Sequence, residues 1–297
     1  MPHDSLIFSI VIPTYNRAHL IGRTIETVLQ QNFYDFEVLI VDDGSKDNTE
    51  DVVRKFKDKR IQYYKKENAE RGAARNYGAA KAKGKYINFF DSDDLMYPNH
   101  LSMAHKLLLS IGEPEFFHLA YDYKLENGTI LNSVNDFDDT IKNILLFDNK
   151  LSCNGVFLRK DIILRFPFEE NRVLASSEDW ELWIRLVSRF KLHFSNEITS
   201  SVINHDQRSI RTIAPERVVA RDLYFIDKIR QDSIVKSNYG KSFGRFVAMR
   251  FTFFMLAFAE QGQRIEVWKW GMRAFRIHPL ILTSKRFLAS IKNSILK

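Results

Sequence analysis

Three short polar clusters hold most of the side chains in this chain that are able to do chemistry, and each one ends an apolar run. Pro13-Thr14-Tyr15-Asn16-Arg17 follows Phe8–Ile12, Asp42-Asp43-Gly44-Ser45 follows Glu37–Val41, and Asp91-Ser92-Asp93-Asp94 follows Lys85–Phe90. Carboxylates as close as Asp91, Asp93 and Asp94 repel one another, and hard cations such as Mg2+ or Mn2+ take carboxylate oxygens. The bland reading of the same residues is a turn that caps the next helix. Taken alone, the acidic cluster leaves both readings open; three polar clusters at three strand ends favour a site. Arg71 and Arg75 stand one helical turn apart and share a face, and guanidinium groups hold phosphate or carboxylate bidentately. Glu178-Asp179-Trp180 opens a helix behind Ser176-Ser177. Its acids suit a helix N-terminus and equally supply a proton acceptor. Trp180 and Trp183 are open to two readings, an acceptor platform or core. His205 and Arg208 follow the last strand signal, and Cys153 has no His or Cys partner at metal spacing and reads as core.

Positioning these residues requires a regular scaffold. Phe8–Ile12, Glu37–Val41, Ile61–Tyr64 and Lys85–Phe90 read as buried strands. Between them lie helices: Ala18–Gln31 with apolar residues at helical spacing, one through Val52, Val53 and Phe56, and the alanine-rich Arg71–Ala82. Strand and helix in alternation predict a mostly parallel, Rossmann-like α/β sheet covered on both faces, with ligands beyond the carboxyl ends of the strands. Neither Gly-x-Gly-x-x-Gly after the first strand nor a Walker-type loop is present. Farther on, Pro98–Ile111 is expected as a helix, Asn127-Gly128 as a hairpin turn, and Asn135–Asp148 as an acidic surface segment with a short helix. Cys153–Leu158 is expected as a strand at the sheet's far side, with Lys191–Phe194 and Ile198–Ile203 as two short strands. After about Ile213 only helices are expected. The domain reading is 1–212 as the catalytic α/β part, divided into 1–95 and 96–212, and 213–297 as a basic, amphipathic helical region.

With 297 residues, 45% hydrophobic and 27% charged, the chain has the composition of a soluble globular protein. One cysteine excludes an internal disulfide and fits a reducing compartment. Met1-Pro2-His3-Asp4 lacks the basic and apolar regions of a secretory signal, and no apolar window long enough to span a membrane is expected. The net charge of +7 is uneven: Gln207–Lys297 carries 18 Lys+Arg against 6 Asp+Glu, leaving 26 against 31 in Met1–Asp206. Such asymmetry suggests a basic region that meets something anionic.

Ser9–Arg17, Val41–Ser45, Ala74-Arg75-Asn76 and Asp91–Asp94, in this order, resemble the motifs of family-2 glycosyltransferases of the GT-A fold. The resemblance is dense over about the first hundred residues and sparser as far as Arg208. It implies an inverting transferase of cell-surface polysaccharide assembly (O-antigen, capsule or exopolysaccharide). Such an enzyme uses a nucleotide-diphospho-sugar, a UDP-sugar first, a divalent cation and a glycan or lipid-linked glycan acceptor. Carried over by position, Pro13, Thr14, Tyr15, Arg17, Asp42 and Asp43 line the nucleotide pocket, and Arg71 or Arg75 meets the diphosphate or Asp91. Asp93 becomes the metal ligand, with Asp91 toward the ribose or metal and Ser92 and Asp94 near the donor sugar. Asp179 becomes the general base, with Glu178 as second choice. His205 and Arg208 reach the metal or diphosphate. The basic helices suit a lipid-anchored acceptor or simply pack, which implies a cytoplasmic enzyme, at the inner face of the plasma membrane in the first case. Two other classes stand beside this reading. A nucleotidyltransferase calls for a glycine-rich basic loop after the first strand, which Pro13–Arg17 lacks. A non-catalytic basic membrane or nucleic-acid binder fits the charge, but aromatic RNA-binding motifs are missing, so no nucleic-acid partner is expected.

Overall fold

Phe8–Thr14 is apolar and largely β-branched, as a strand covered on both faces must be, and it forms β1 with every residue buried. It pairs in parallel with β2 (Phe36–Asp42) on one side and with β4 (Tyr86–Phe89) on the other, so that Ile10 faces both Val38 and Asn88. β3 (Ile61–Lys65) extends the sheet beyond β2. The connections are α1 (Ile21–Leu29), α2 (Thr49–Arg54) and α3 (Glu70–Lys81). One face of the sheet packs Ile10 and Ile12 with Ile21, Ile25 and Val28; the other packs Val11, Leu39 and Val41 with Ala74. Each such fully buried aliphatic side chain contributes about 1.5–3 kcal/mol. α3 lies hard against the sheet at Gly78, where a Cβ would come within 2.4 Å of Val11 Cγ1. This close approach brings the arginines of α3 toward the strand ends.

The remaining elements of the first unit are β5 (Leu95–Met96), α4 (His100–Ile111), β6 (Phe116–Leu125), β7 (Ile130–Val134), α5 (Ile141–Leu145), β8 (Val156–Arg159), α6 (Lys160–Arg165), α7 (Glu178–Val187) and β9 (His193–Asn204). The computed structural model describes residues 6–205 and 214–296, and its two compact units are Met1–Arg208 and Ser209–Lys297. Nine strands among the described residues form one sheet, ordered β3-β2-β1-β4-β8-β6-β9-β5, with β7 paired to β6. The chain leaves β1 first toward β2 and later toward β4, so a topological switch lies beside β1, where open α/β sheets place ligands.

The sheet corrects two expectations. Cys153–Leu158 does not supply a far-side strand: Cys153–Gly155 is a 3-10 turn, and β8 lies mid-sheet, antiparallel to both β4 and β6. The two short strands expected at 191–203 are one continuous β9, parallel to β6 with register shifts around Ala120. The Asn127-Gly128 hairpin forms, with Gly128 at φ +88° and Tyr123 opposite Asn132.

The second unit is helical: α8 (Pro215–Gln231), α9 (Ser233–Glu260), α10 (Arg264–Ile277) and α11 (Lys285–Leu296). Asp232 caps α9 by accepting from the backbone N–H of Ile234 and Val235. Contrary to expectation, α9 is long and apolar enough to cross a membrane by length and composition. Half of that apolar window is nevertheless buried within the protein. Phe254 of α9 packs edge-on against Trp270 at 4.9 Å, and Arg250 Nε donates to the buried Asp222 at 2.9 Å. Those contacts make α9 the central helix of this unit.

Candidate active site

The loops after β1 and β2 are laced together by their own polar side chains. Asn16 N–H donates to Ser45 Oγ (2.9 Å), Lys46 N–H to Asn16 Oδ1 (2.8 Å) and Arg17 N–H to Thr49 Oγ1 (3.0 Å). Asp42 is wholly buried and accepts from Ser45 N–H and the Tyr63 hydroxyl, both at 2.6 Å, so it braces the loop. Asp43 accepts from Lys66 Nζ (2.7 Å), Ala69 N–H (2.9 Å) and Asn68 Nδ2 (3.1 Å); Thr14 and Pro13 are buried, and Asp43 N–H donates to Thr14 O at 2.8 Å. Tyr15 is 41% exposed, leaving its ring open to a flat partner.

Beyond β4, Asp91, Ser92, Asp93 and Asp94 take different surroundings. Asp91 Oδ1 accepts from Arg75 Nη2 at 2.9 Å, and Ser92 is buried. Asp93 Oδ2 lies 3.1 Å from His205 Nε2 and 3.7 Å from Arg17 Nε. Asp94, expected near a donor sugar, is instead 1% exposed, with Oδ2 bonded to Asn154 Nδ2 (2.7 Å) and Oδ1 to Ile203 N–H (2.8 Å). It is a strut, and by tying β9 to the end of β4 it brings His205 to Asp93. Arg208 lies outside the described residues.

Arg75 is 2% exposed and spans two acids: Nη2 meets Asp91, and Nη1 donates to Glu178 Oε1 at 2.7 Å. Its guanidinium also lies over the Phe168 ring. Arg71, one turn earlier and more exposed, has Nε 3.9 Å from Glu178 Oε1. Asp179 Oδ2 accepts from Asn149 Nδ2 at 3.2 Å, and Oδ1 accepts from the Trp180 N–H. Burial and the adjacent Glu178 charge push the Asp179 carboxyl up to about 6, against the pull of Arg75. Trp180 and Trp183 are buried, so they are core and not an acceptor platform. Three non-glycine residues with positive φ stand where the chain enters these elements: Asn16 (51°), Glu70 (75°) and Ser176 (73°). Backbone strain of this kind is held by its surroundings and gathers at functional sites.

The clusters after β1, β2 and β4 and both Arg71 and Arg75 fall inside residues 9–113, which match the family profile described as Glycosyl transferase family 2. The chain is 32% identical over 185 residues to the UDP-Glc:alpha-D-GlcNAc-diphosphoundecaprenol beta-1,3-glucosyltransferase WfgD of Escherichia coli, covering 62% of this chain and 71% of WfgD. The chain belongs to glycosyltransferase family 2. As a family-2 member it is also 28% identical over 246 residues to a glycosyltransferase of Rickettsia felis, of which it spans 40%. Its fold is that of a solved structure of S. aureus TarS 1-349 in complex with UDP-GlcNAc: TM-score 0.72, 18% identity, 97% of this chain and 88% of that one. The likeness supports a GT-A α/β sheet with a helical region after it.

Members of this family use a divalent cation, as the motif resemblance implies, and Asp93 with His205 fits one. Asp93 Oδ2 and His205 Nε2 lie 3.1 Å apart, within hydrogen-bond distance, which brings a carboxylate oxygen and an imidazole nitrogen to one spot. Carboxylate and imidazole suit Mn2+, and Mg2+ and Mn2+ sites of this type are completed by substrate phosphates and water. No cluster of three or more such ligands occurs among the described residues.

Asn149 and Asn154 were not legible as site residues. Asn154 is fully buried; its Oδ1 accepts from Asp91 N–H (2.9 Å) while its amide holds Asp94. It sits in a 3-10 turn and Asn149 in an irregular loop, where neither helical nor strand periodicity marks a position.

Proposed function

We propose that this chain is an inverting glycosyltransferase that moves a sugar from a nucleotide-diphospho-sugar to a hydroxyl of a glycan or lipid-linked glycan, in cell-surface polysaccharide assembly. The observation that carries the reading is the Arg75 bridge. One buried guanidinium ties Asp91, in the donor motif, to Glu178, the neighbour of the candidate base. In this reading residues 1–95 bind the donor and 96–212 present the acceptor and base. The nucleotide base stacks on Tyr15 and bonds the loop around Asp43, with Thr14 and Arg17 alongside, and Arg71 faces the diphosphate.

Asp179 takes the proton of the acceptor hydroxyl while that oxygen attacks the anomeric carbon. The new C–O bond forms on the face opposite the departing one, and the bond to the diphosphate breaks with its electron pair leaving on the nucleoside diphosphate. Asp93 and His205 would hold the divalent cation, which offsets charge on the leaving diphosphate. UDP-sugars are the first donors to test, since WfgD is named for UDP-Glc and TarS was solved with UDP-GlcNAc. The single buried cysteine suits a reducing, cytoplasmic setting.

A melting-temperature screen of nucleotide-sugars with and without Mn2+ tests this directly, because a ligand that binds only the folded state raises the midpoint. A UDP-sugar is expected to raise it only with Mn2+ present, and Asp93→Ala to abolish the rise. An Asp179→Asn enzyme that binds donor normally and still transfers at the parental rate would rule Asp179 out as the base.

A further inference from the structure

Within the helical unit, α10 carries two apolar stripes. Val267, Trp270, Gly271 and Ala274 form the buried one. Ile265, Trp268, Met272 and Phe275 recur at the same helical spacing but face water, Ile265 at 83% and Trp268 at 52% exposed. A core explains the first stripe and not the second. Leu282, in the 3-10 turn Pro279–Thr283, and Leu288 of α11 continue this exposed surface at 43% and 56%. Between α10 and α11 runs an open groove of about 720 Å3, lined almost wholly by carbon and edged by Lys292. Contiguous exposed apolar surface of this sort marks an interaction site.

Charge selects the partner. Between Gln261 and Lys297 eight Lys or Arg residues stand against one acid, Glu266, which is itself paired with Lys269 at 2.8 Å. Arg273, Arg276, Lys285 and Lys292 are exposed around the groove. A second copy docking through the same face would bring these like charges together. Nucleic acid would meet the cations and leave the stripe in water. A bilayer with anionic headgroups satisfies both features, since apolar side chains enter the headgroup–acyl boundary and Lys and Arg meet the phosphates. We propose that the α10–α11 face docks peripherally on an anionic phospholipid surface. Trp268, Met272, Phe275 and Leu288 insert, and Arg273, Arg276, Lys285 and Lys292 lie over the headgroups. This docking does not depend on the donor or on the identity of the base.

The full chain is floated with vesicles of phosphatidylcholine alone and with a quarter of the lipid replaced by phosphatidylglycerol. Binding is expected to be about tenfold stronger to the anionic vesicles and to weaken steeply with salt. Of the four tryptophans only Trp268 is substantially exposed, so a blue shift of emission on binding should vanish in Trp268→Phe. Trp268→Glu with Leu288→Glu, and separately Arg273→Glu with Arg276→Glu, should each lower binding about tenfold with an unchanged circular dichroism spectrum. Equal binding to neutral and anionic vesicles, or none, would overturn the proposal. So would binding that resists an alkaline carbonate wash, which would assign the membrane contact to a spanning helix such as α9. A concentration-dependent dimer abolished by the Trp268/Leu288 variant would instead assign the face to a second copy.

Discussion

Asp179 is the residue at which this site's electrostatics are most exposed to test. Its carboxyl is held up to about 6 by burial and by Glu178, so the proton-accepting form grows as pH rises through that value. Transfer limited by the chemical step should therefore climb about tenfold per pH unit below 6 and flatten near neutrality, measured as kcat/KM across pH 5–8. Asn149 donates to Asp179 Oδ2 and so favours the ionised form. Asn149→Ala should move that limb to higher pH, costing more activity at pH 6 than at pH 8; a limb that stays in place would remove Asn149 from this role. The same shift has a stability side. A carboxyl whose folded pKa lies above its unfolded value destabilises the fold once ionised, with the loss accruing between about pH 4 and 6 and remaining at neutrality. Asp179→Asn should consequently raise the neutral-pH stability by about 1–3 kcal/mol while abolishing transfer.

Among the elements, the parallel half of the sheet was legible because β1, β2 and β4 are apolar runs ended by polar clusters. The helices between them show 3.6-residue spacing or small residues. The rest depended on long-range pairings. β8 enters mid-sheet in the antiparallel sense, so no crossover pattern announced it. His205 meets Asp93 where Asp94 accepts from Ile203 N–H and β5 pairs with β9, Leu95 opposite Ser201, so that the end of β9 is tied to the loop after β4. The turn before β8 is the less obvious support: Asn154 holds Asp91 N–H and Asp94 at once. Asn154→Leu removes both bonds and leaves a buried carboxylate short of a donor, so a stability loss of about 1–3 kcal/mol is expected by urea denaturation. Donor binding should weaken with it, because the loop carrying Asp93 loses its floor. Normal donor affinity in a destabilised Asn154→Leu enzyme would confine Asn154 to folding.

At the scale of the molecule, response to acid is set by opposing groups, and magnitudes decide between them. His100 on α4 and His118 on β6 are completely buried, and burial drives each imidazole down to about 3. Such groups stay neutral when folded and take up protons when unfolded. Their contribution to stability is whole above about pH 6.5 and is lost progressively as pH falls from 6.5 toward 3. At pH 5 each costs about 2 kcal/mol relative to neutrality, while protonation of Asp179 returns only about 1.4 kcal/mol. The histidines win, and the first unit should lose about 2–3 kcal/mol between pH 7 and 5. Trp180 and Trp183 belong to that unit and are buried, so their fluorescence follows its unfolding in urea. The midpoint should drop over this range, and His118→Phe should remove about half of the histidine share of the pH dependence. An unchanged slope in His118→Phe would mean that another group carries the acid sensitivity.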